Sequence, residues 1–219
     1  TDGYLSPCGC TKPMSGGIRR RAAAIKMLTD GRAAGVLENG GLIAGRGRQS
    51  ELKAETLAEV LRQIDADAIH VAGAEARAGR GTLQALETLS EGRLISLSLA
   101  PSPTNRIVPH KVVGPFLVGG ASATPHDLAA ALGERPVPLE QASARLVRDA
   151  ADAGLVPVLL LQGSKREAED VARANPSIRL IQYRASGAPP TEPQRVGRTL
   201  LVTPGEFGKA VLRLVWRGG

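Results

Sequence analysis

The run 156–161 (VPVLLL) constrains the fold of this chain more than any other stretch. Six apolar residues in a row leave no wet face, so the segment reads as a strand covered on both sides, the kind found inside an α/β sheet. Its flanks agree. A helix is expected at 140–153, with Ala142, Leu146, Val147 and Ala150 facing inward and Gly154 closing it. Another is expected at 165–174, leading through Asn175-Pro176 to a strand at 178–182.

The same alternation extends through the rest of the chain. The spacing of Ile18, Ala22, Ile25 and Leu28 or Met27 predicts a helix over 17–29, ended by Asp30-Gly31. A short strand at 36–37 follows. The clearest amphipathic helix is 51–64, with Leu52, Leu57, Val60, Leu61 and Ile64 on one side, Ser50 as its expected N-cap and Glu51 in its first turn. Then come a strand at 67–72, a helix at 80–91 and an alternating strand at 94–99. A hairpin is expected within 105–121, turning at 109–111 or 113–115, with 116–118 in its return strand. Thr124-Pro125-His126-Asp127 opens a short helix, and strands are expected at 197–202 and 210–216. There is no internal repeat beyond these αβ units. At 219 residues, one domain over 1–219 is the expectation.

Charge narrows the partners. The chain carries 28 Lys+Arg against 21 Asp+Glu, a net charge of +7. Most of the cations are arginines scattered along the chain, which suits either a solvated surface or attraction to an acidic partner or phosphate. No basic run is interleaved with stacking aromatics, which argues against nucleic acid. No apolar run approaches the roughly 20 residues of a membrane helix. No charged-then-apolar leader opens the chain. Thr1 stands where a first strand should be ending, so residues upstream of it are expected to have been removed or left out.

Both cysteines, Cys8 and Cys10, fall in one Gly-, Pro- and Ser-broken loop before the first helix. Three readings stay open. The pair shapes the loop as thiols or a local disulfide; it is a reversible dithiol made reactive by nearby arginines; or it binds a metal or an external thiol, with further ligands from elsewhere. Without C-x-x-C-H, ordinary haem attachment is ruled out. Arg19, Arg20 and Arg21 open the helix, where three cations oppose the macrodipole. An ordinary solvated turn would explain them, and so would an acidic partner or bound anion. Under the second reading, reversing the charge of Arg19 and Arg20 weakens the complex as salt does.

The opening stretch Asp2-Gly3-Tyr4-Leu5-Ser6-Pro7-Cys8-Gly9-Cys10, followed by Gly16-Gly17-Ile18-Arg19-Arg20, resembles a family pattern. The pattern is H-G-Y-L-x-P-C-G-C and then G-G-[IL]-x-R-R, from an exported bacterial branch of the calcineurin-like metallophosphoesterases. That branch is similar to 5′-nucleotidases, and some members carry selenocysteine in the cysteine pair. The Pro204-Gly205-Glu206-Phe207-Gly208-Lys209 turn is close to the family's C-terminal one. The resemblance implies a trimmed sandwich of two mixed β-sheets flanked by helices. It also implies a two-metal phosphoesterase site, but the ligand positions have changed. Asp2 stands in place of His, and Gly41 in place of the Asp that bridges the metals. Ala74 and Glu75 replace the Asn-His of a Gly-Asn-His-Glu turn. Gln162 replaces a metal-binding His, and Tyr183 through Ser186 replace a Gly-His-x-His ending. Such a site needs about seven ligands, and His70, His110 and His126 match none of the family positions.

The fold is therefore expected without its catalyst and without a cofactor. What the resemblance leaves is an exported, periplasmic accessory or scaffold subunit. Its expected partner class is a membrane-associated or cytochrome-type electron-transfer complex. A thiol-redox protein acting through Cys8 and Cys10 is the alternative.

Overall fold

The computed structural model describes residues 3–6, 16–32 and 34–218. In chain order the elements are α1 (Ile18–Thr29), β1 (Leu37–Glu38), α2 (Arg48–Gln63), β2 (Ala68–His70), α3 (Gly73–Ala76), α4 (Arg80–Leu89), β3 (Leu94–Ile95), β4 (His110–Val113), β5 (Phe116–Ser122), α5 (His126–Leu132), α6 (Leu139–Asp152), β6 (Val156–Gln162), α7 (Lys165–Ala174), β7 (Leu180–Gln182), β8 (Gln194–Val196) and β9 (Thr199–Val202). They form two sheets, ordered β1-β2-β3 and β4-β5-β6-β7-β9-β8.

The expected α/β sandwich is present. The second sheet is mixed: β5, β6, β7 and β9 run parallel, and β4 and β8 are antiparallel edges. The described strands of the first sheet run parallel. Each joins the next through a helix rather than a hairpin, and that crossover enforces parallel pairing. The run VPVLLL is the center of the larger sheet, and it is buried on both faces as its composition requires. Val158 and Leu160 face the first sheet with Ala68, Ile95 and Val118. Leu159 and Leu161 face α6 and α7 through Leu146, Ala168 and Val171. On the far side, α2, α4 and α5 cover the first sheet with Leu57, Leu61, Leu83, Leu86 and Leu128. The layers thus run helix, sheet, sheet, helix.

Several expected boundaries move, each for a local reason. Helix α2 begins at Arg48, so Ser50 lies inside it; the Ser50 hydroxyl donates to the Ala44 carbonyl at 2.9 Å and ties down the preceding loop. The strand expected at 94–99 stops at Ile95, because the chain there crosses between sheets. Ser96 N–H donates to Val108 O and Leu97 N–H to Gly120 O. The strand expected at 197–202 is a hairpin, β8 and β9, turned by Gly197 at φ +57°. The earlier hairpin turns at Gly114-Pro115, the second of its two expected places. Residues 210–216 join no sheet.

Gly120 makes the contact between sheets close enough for the site. A Cβ built there would sit inside the van der Waals envelope of the His70 ring, 2.6 Å from its Cγ. Gly120→Ala therefore overpacks a buried strand and should cost about 2–3 kcal/mol in a denaturant melt. His70→Ala in the same chain should recover part of that loss.

Candidate functional site

In α/β sheets, ligand sites form beyond the carboxyl ends of the strands. Here an open cleft of about 570 Å³ lies beyond the ends of β5, β6 and β7. Thr124, Gln162, Arg184, Ser186 and Glu206 line it, and Tyr4 and Phe207 form an aromatic rim with ring centroids 4.8 Å apart. The Lys209 ammonium lies 4.9 Å from the center of the Phe207 ring. Glu167 also reaches the cleft, but its carboxylate is engaged in capping α7. It accepts from Ser164 N–H at 2.6 Å and from the Ser164 hydroxyl at 2.7 Å.

The floor of the cleft is a polar network that joins the two sheets. Asn39, in the loop after β1, donates its side-chain amide to Leu161 O and to Gln182 O, both at 3.0 Å. Gln162 donates to the Asn39 carbonyl, and Arg184 donates to Gln162 Oε1 at 3.1 Å. The loop can come this near because Gly40 stands at φ +68°, where a Cβ would strike the His70 carbonyl. With both carbonyls taken by Asn39 Nδ2, Asn39 Oδ1 must act as an acceptor. It lies 3.1 Å from His70 Nδ1, so that nitrogen carries the proton. His70 Nε2 is then a bare lone pair, buried without a partner among the described residues.

Burial holds His70 neutral, pushing its pKa down to about 3 from 6.5. A folded pKa below the unfolded value means that the unfolded chain takes up the proton first on acidification. The stability this group confers is complete above pH 6.5 and is lost as pH falls toward 3. Between pH 7 and 5 the loss should be about 2 kcal/mol. Urea melts across that range should show it in the wild type and show less than half of it in His70→Gln.

The structure separates the residues singled out in the sequence. Gln162 and Ser186 do line the cleft. The Gly41 carbonyl accepts from Gly3 N–H at 2.8 Å, and glycine has no side chain to ligate a metal. Ala74 sits in α3 with no ligating atom on its side chain. Tyr183 is buried in the helix-side core, its phenol pKa raised by burial and by Glu169. Glu75 is fully buried and works as a staple: Oε1 accepts from Leu42 N–H at 2.7 Å, and Oε2 from Ala72 N–H at 3.1 Å. Arg21 departs from the expected partner surface. Its guanidinium turns inward onto buried Glu38, while Arg19 and Arg20 stay exposed. Asp2, Cys8 and Cys10 lie outside the described residues. Asn39 escaped the sequence reading; its signal was an amide just past the end of a short strand.

A two-metal center needs about seven ligands, more than the described residues at these positions offer. Among the described residues, no three His, Cys, Asp or Glu side chains converge to hold a metal ion. Of the positions the resemblance marks, Gly41 and Ala74 carry no ligating side chain, and the Gln162 and Glu75 side chains are bonded to backbone groups.

No protein-family model matches the chain, and no curated protein matches it in sequence. Solved structures do match in shape. The sulfate thiohydrolase SoxB of Thermus thermophilus, in complex with glycerol, superposes with a TM-score of 0.72 at 21% identity, over 90% of this chain and 39% of its own. A 5′-nucleotidase precursor, also from Thermus thermophilus, gives 0.73 at 19% identity, over 94% and 47%. A putative 5′-nucleotidase from Staphylococcus aureus gives 0.70 at 13% identity, over 93% and 46%. This chain spans less than half the length of each. It has the fold of the 5′-nucleotidase-type metallophosphoesterases.

Proposed function

We propose that this chain is a non-catalytic accessory subunit that uses a phosphoesterase fold as a binding surface. One observation carries the reading: side chains at the strand ends, where the resembled family holds metal, are bonded to this protein's own backbone. Gln162 holds Asn39, and Glu75 holds two amides of the loops after β1 and β2. Such groups fix loops; they are not open to a cation. The cleft keeps a polar floor and an aromatic rim, which suits binding rather than hydrolysis.

The resemblance supplies the partner class and the compartment: a membrane-associated, cytochrome-type electron-transfer complex met outside the cytoplasm. No helix among the described residues is long and apolar enough to cross a membrane, so attachment would run through that partner. The exposed residues Arg19 and Arg20 are the cations to test. Affinity isolation of the tagged chain from native membranes should recover a stoichiometric membrane partner, and Arg19→Glu with Arg20→Glu should release it. A chain that purifies alone from those membranes overturns the accessory role.

A further inference from the structure

Asn39-Gly40 is the one Asn-Gly pair in the chain. In such a pair the glycine nitrogen can attack the asparagine side-chain carbonyl, and no Cβ on the glycine hinders it. The other two asparagines are less exposed to this chemistry. Asn105 is followed by the bulky Arg106, and Asn175 by Pro176, whose nitrogen carries no proton. By local chemistry alone, Asn39 is the asparagine of this chain most prone to lose its amide.

The fold holds that reaction off. Asn39 is 8% exposed. Its Nδ2, the nitrogen that would leave, donates to Leu161 O and Gln182 O, and its Oδ1 accepts from His70 Nδ1–H. The side chain cannot swing onto the Gly40 nitrogen without breaking these bonds. Behind it, the Asn39 carbonyl accepts from Gln162, and Gly40 is wedged against the His70 carbonyl. The bonds to Leu161, Gln162 and Gln182 all reach β6 or β7 of the other sheet. Protection therefore lasts only while the two sheets stay together.

We propose that Asn39 is a latent modification site: parting of the sheets releases it to deamidate, and the product keeps them from closing again. The step needs only water and hydroxide. Gly40 N–H gives its proton to hydroxide, and the nitrogen bonds to Asn39 Cγ. The Cγ–Nδ2 bond then breaks, and ammonia leaves with a proton taken from water, which regenerates the hydroxide. Water opens the resulting succinimide ring at either carbonyl, giving aspartate or isoaspartate. Neither product fits the seam. Aspartate sets carboxylate oxygens against the Leu161 and Gln182 carbonyls, which lose their donor in a buried place. Isoaspartate also lengthens the backbone by one carbon beside Gly40, which has no room against the His70 carbonyl. A transient opening is thereby made permanent. This goes beyond the accessory reading and does not depend on it.

The test incubates the full chain at neutral pH, in buffer and in urea above its unfolding midpoint. Peptide mass spectrometry reads the gain of one dalton at each asparagine. In urea, Asn39 should deamidate well ahead of Asn105. In buffer its rate should be about tenfold lower or less. Gln162→Ala, which frees the Asn39 carbonyl, should raise the rate in buffer severalfold and leave the rate in urea unchanged. Partly deamidated wild-type chain, diluted out of urea and separated by size exclusion, should then sort itself. Refolded material keeps Asn39, and material that stays unfolded carries aspartate or isoaspartate there. The proposal is overturned if the wild type deamidates equally fast in buffer and in urea, or if Asn39 shows no lead over Asn105 in urea. It is also overturned if refolded chains carry as much of the product as unfolded ones.

Discussion

Replacing Glu75 with alanine should lower the free energy of unfolding by about 3 kcal/mol. The carboxyl group sits at 0% exposure and accepts two backbone N–H groups, from Leu42 in the loop after β1 and from Ala72 at the start of α3. Alanine leaves both donors buried and unpaired, and each such group costs about 1–3 kcal/mol. Glu75→Gln keeps the shape but turns an NH₂ group toward one of the donors, so it should recover only part of the loss. The measurement is a urea melt with and without chelator. A staple predicts the same loss in both conditions. A metal ligand predicts that the difference between wild type and variant shrinks once the metal is stripped.

Arg21→Ala should be at least as damaging, at about 3 kcal/mol or more. Glu38 is 5% exposed in the core beside β2. Burial alone would push its pKa up, yet the net shift is downward, with the Arg21 guanidinium the described cation that outweighs the burial. A depressed carboxyl pKa confers stability that is present above the ordinary glutamate value and lost as pH falls through the folded one. Removing Arg21 leaves a buried carboxylate without that cation. Arg21→Met with Glu38→Leu removes both charges and should restore most of the stability, as buried pairs replaced by apolar groups do. Melts of the two variants at neutral pH check this. If Arg21→Ala melts like the wild type, Arg21 is a surface cation after all and returns to Arg19 and Arg20 as a candidate for partner binding.

Elements held by their own side-chain pattern were legible in the sequence. Helix α7 appears at Lys165–Ala174, as the spacing predicted, with Ser164 and Glu167 as its capping box. The VPVLLL strand and the helix before it fall within one residue of their expected bounds. Elements decided by distant contacts were not. Leu94 through Leu99 alternate like a strand, but Leu94 belongs to the core under α2 and α4 and Leu97 to the core under α6, so the chain must leave the first sheet between them. Residues 210–216 alternate equally well and join no sheet, because alternation sets a preference for extended backbone and cannot supply a neighbour.

The site was legible as a set of places rather than as a set of bonds. Residue identity at Gly41, Ala74 and Gln162 carried the expectation that the resembled family's ligands are missing. It does not say what stands in for them. Asn39 follows a strand of one sheet and reaches carbonyls of the other across more than 100 residues of chain, with His70 against its free oxygen. No local spacing encodes that pairing. The tautomer of His70 follows only once both carbonyls around Asn39 are known.

The most direct test of the central claim is hydrolysis of p-nitrophenyl phosphate by the purified full chain with added Mn²⁺ or Zn²⁺, alongside the metal content of the same protein. The account predicts turnover no higher than the buffer blank and well under one tightly bound metal per chain. Two metals per chain, with hydrolysis that disappears on chelation and returns on reloading, would contradict it: the strand ends would then form a working metal center.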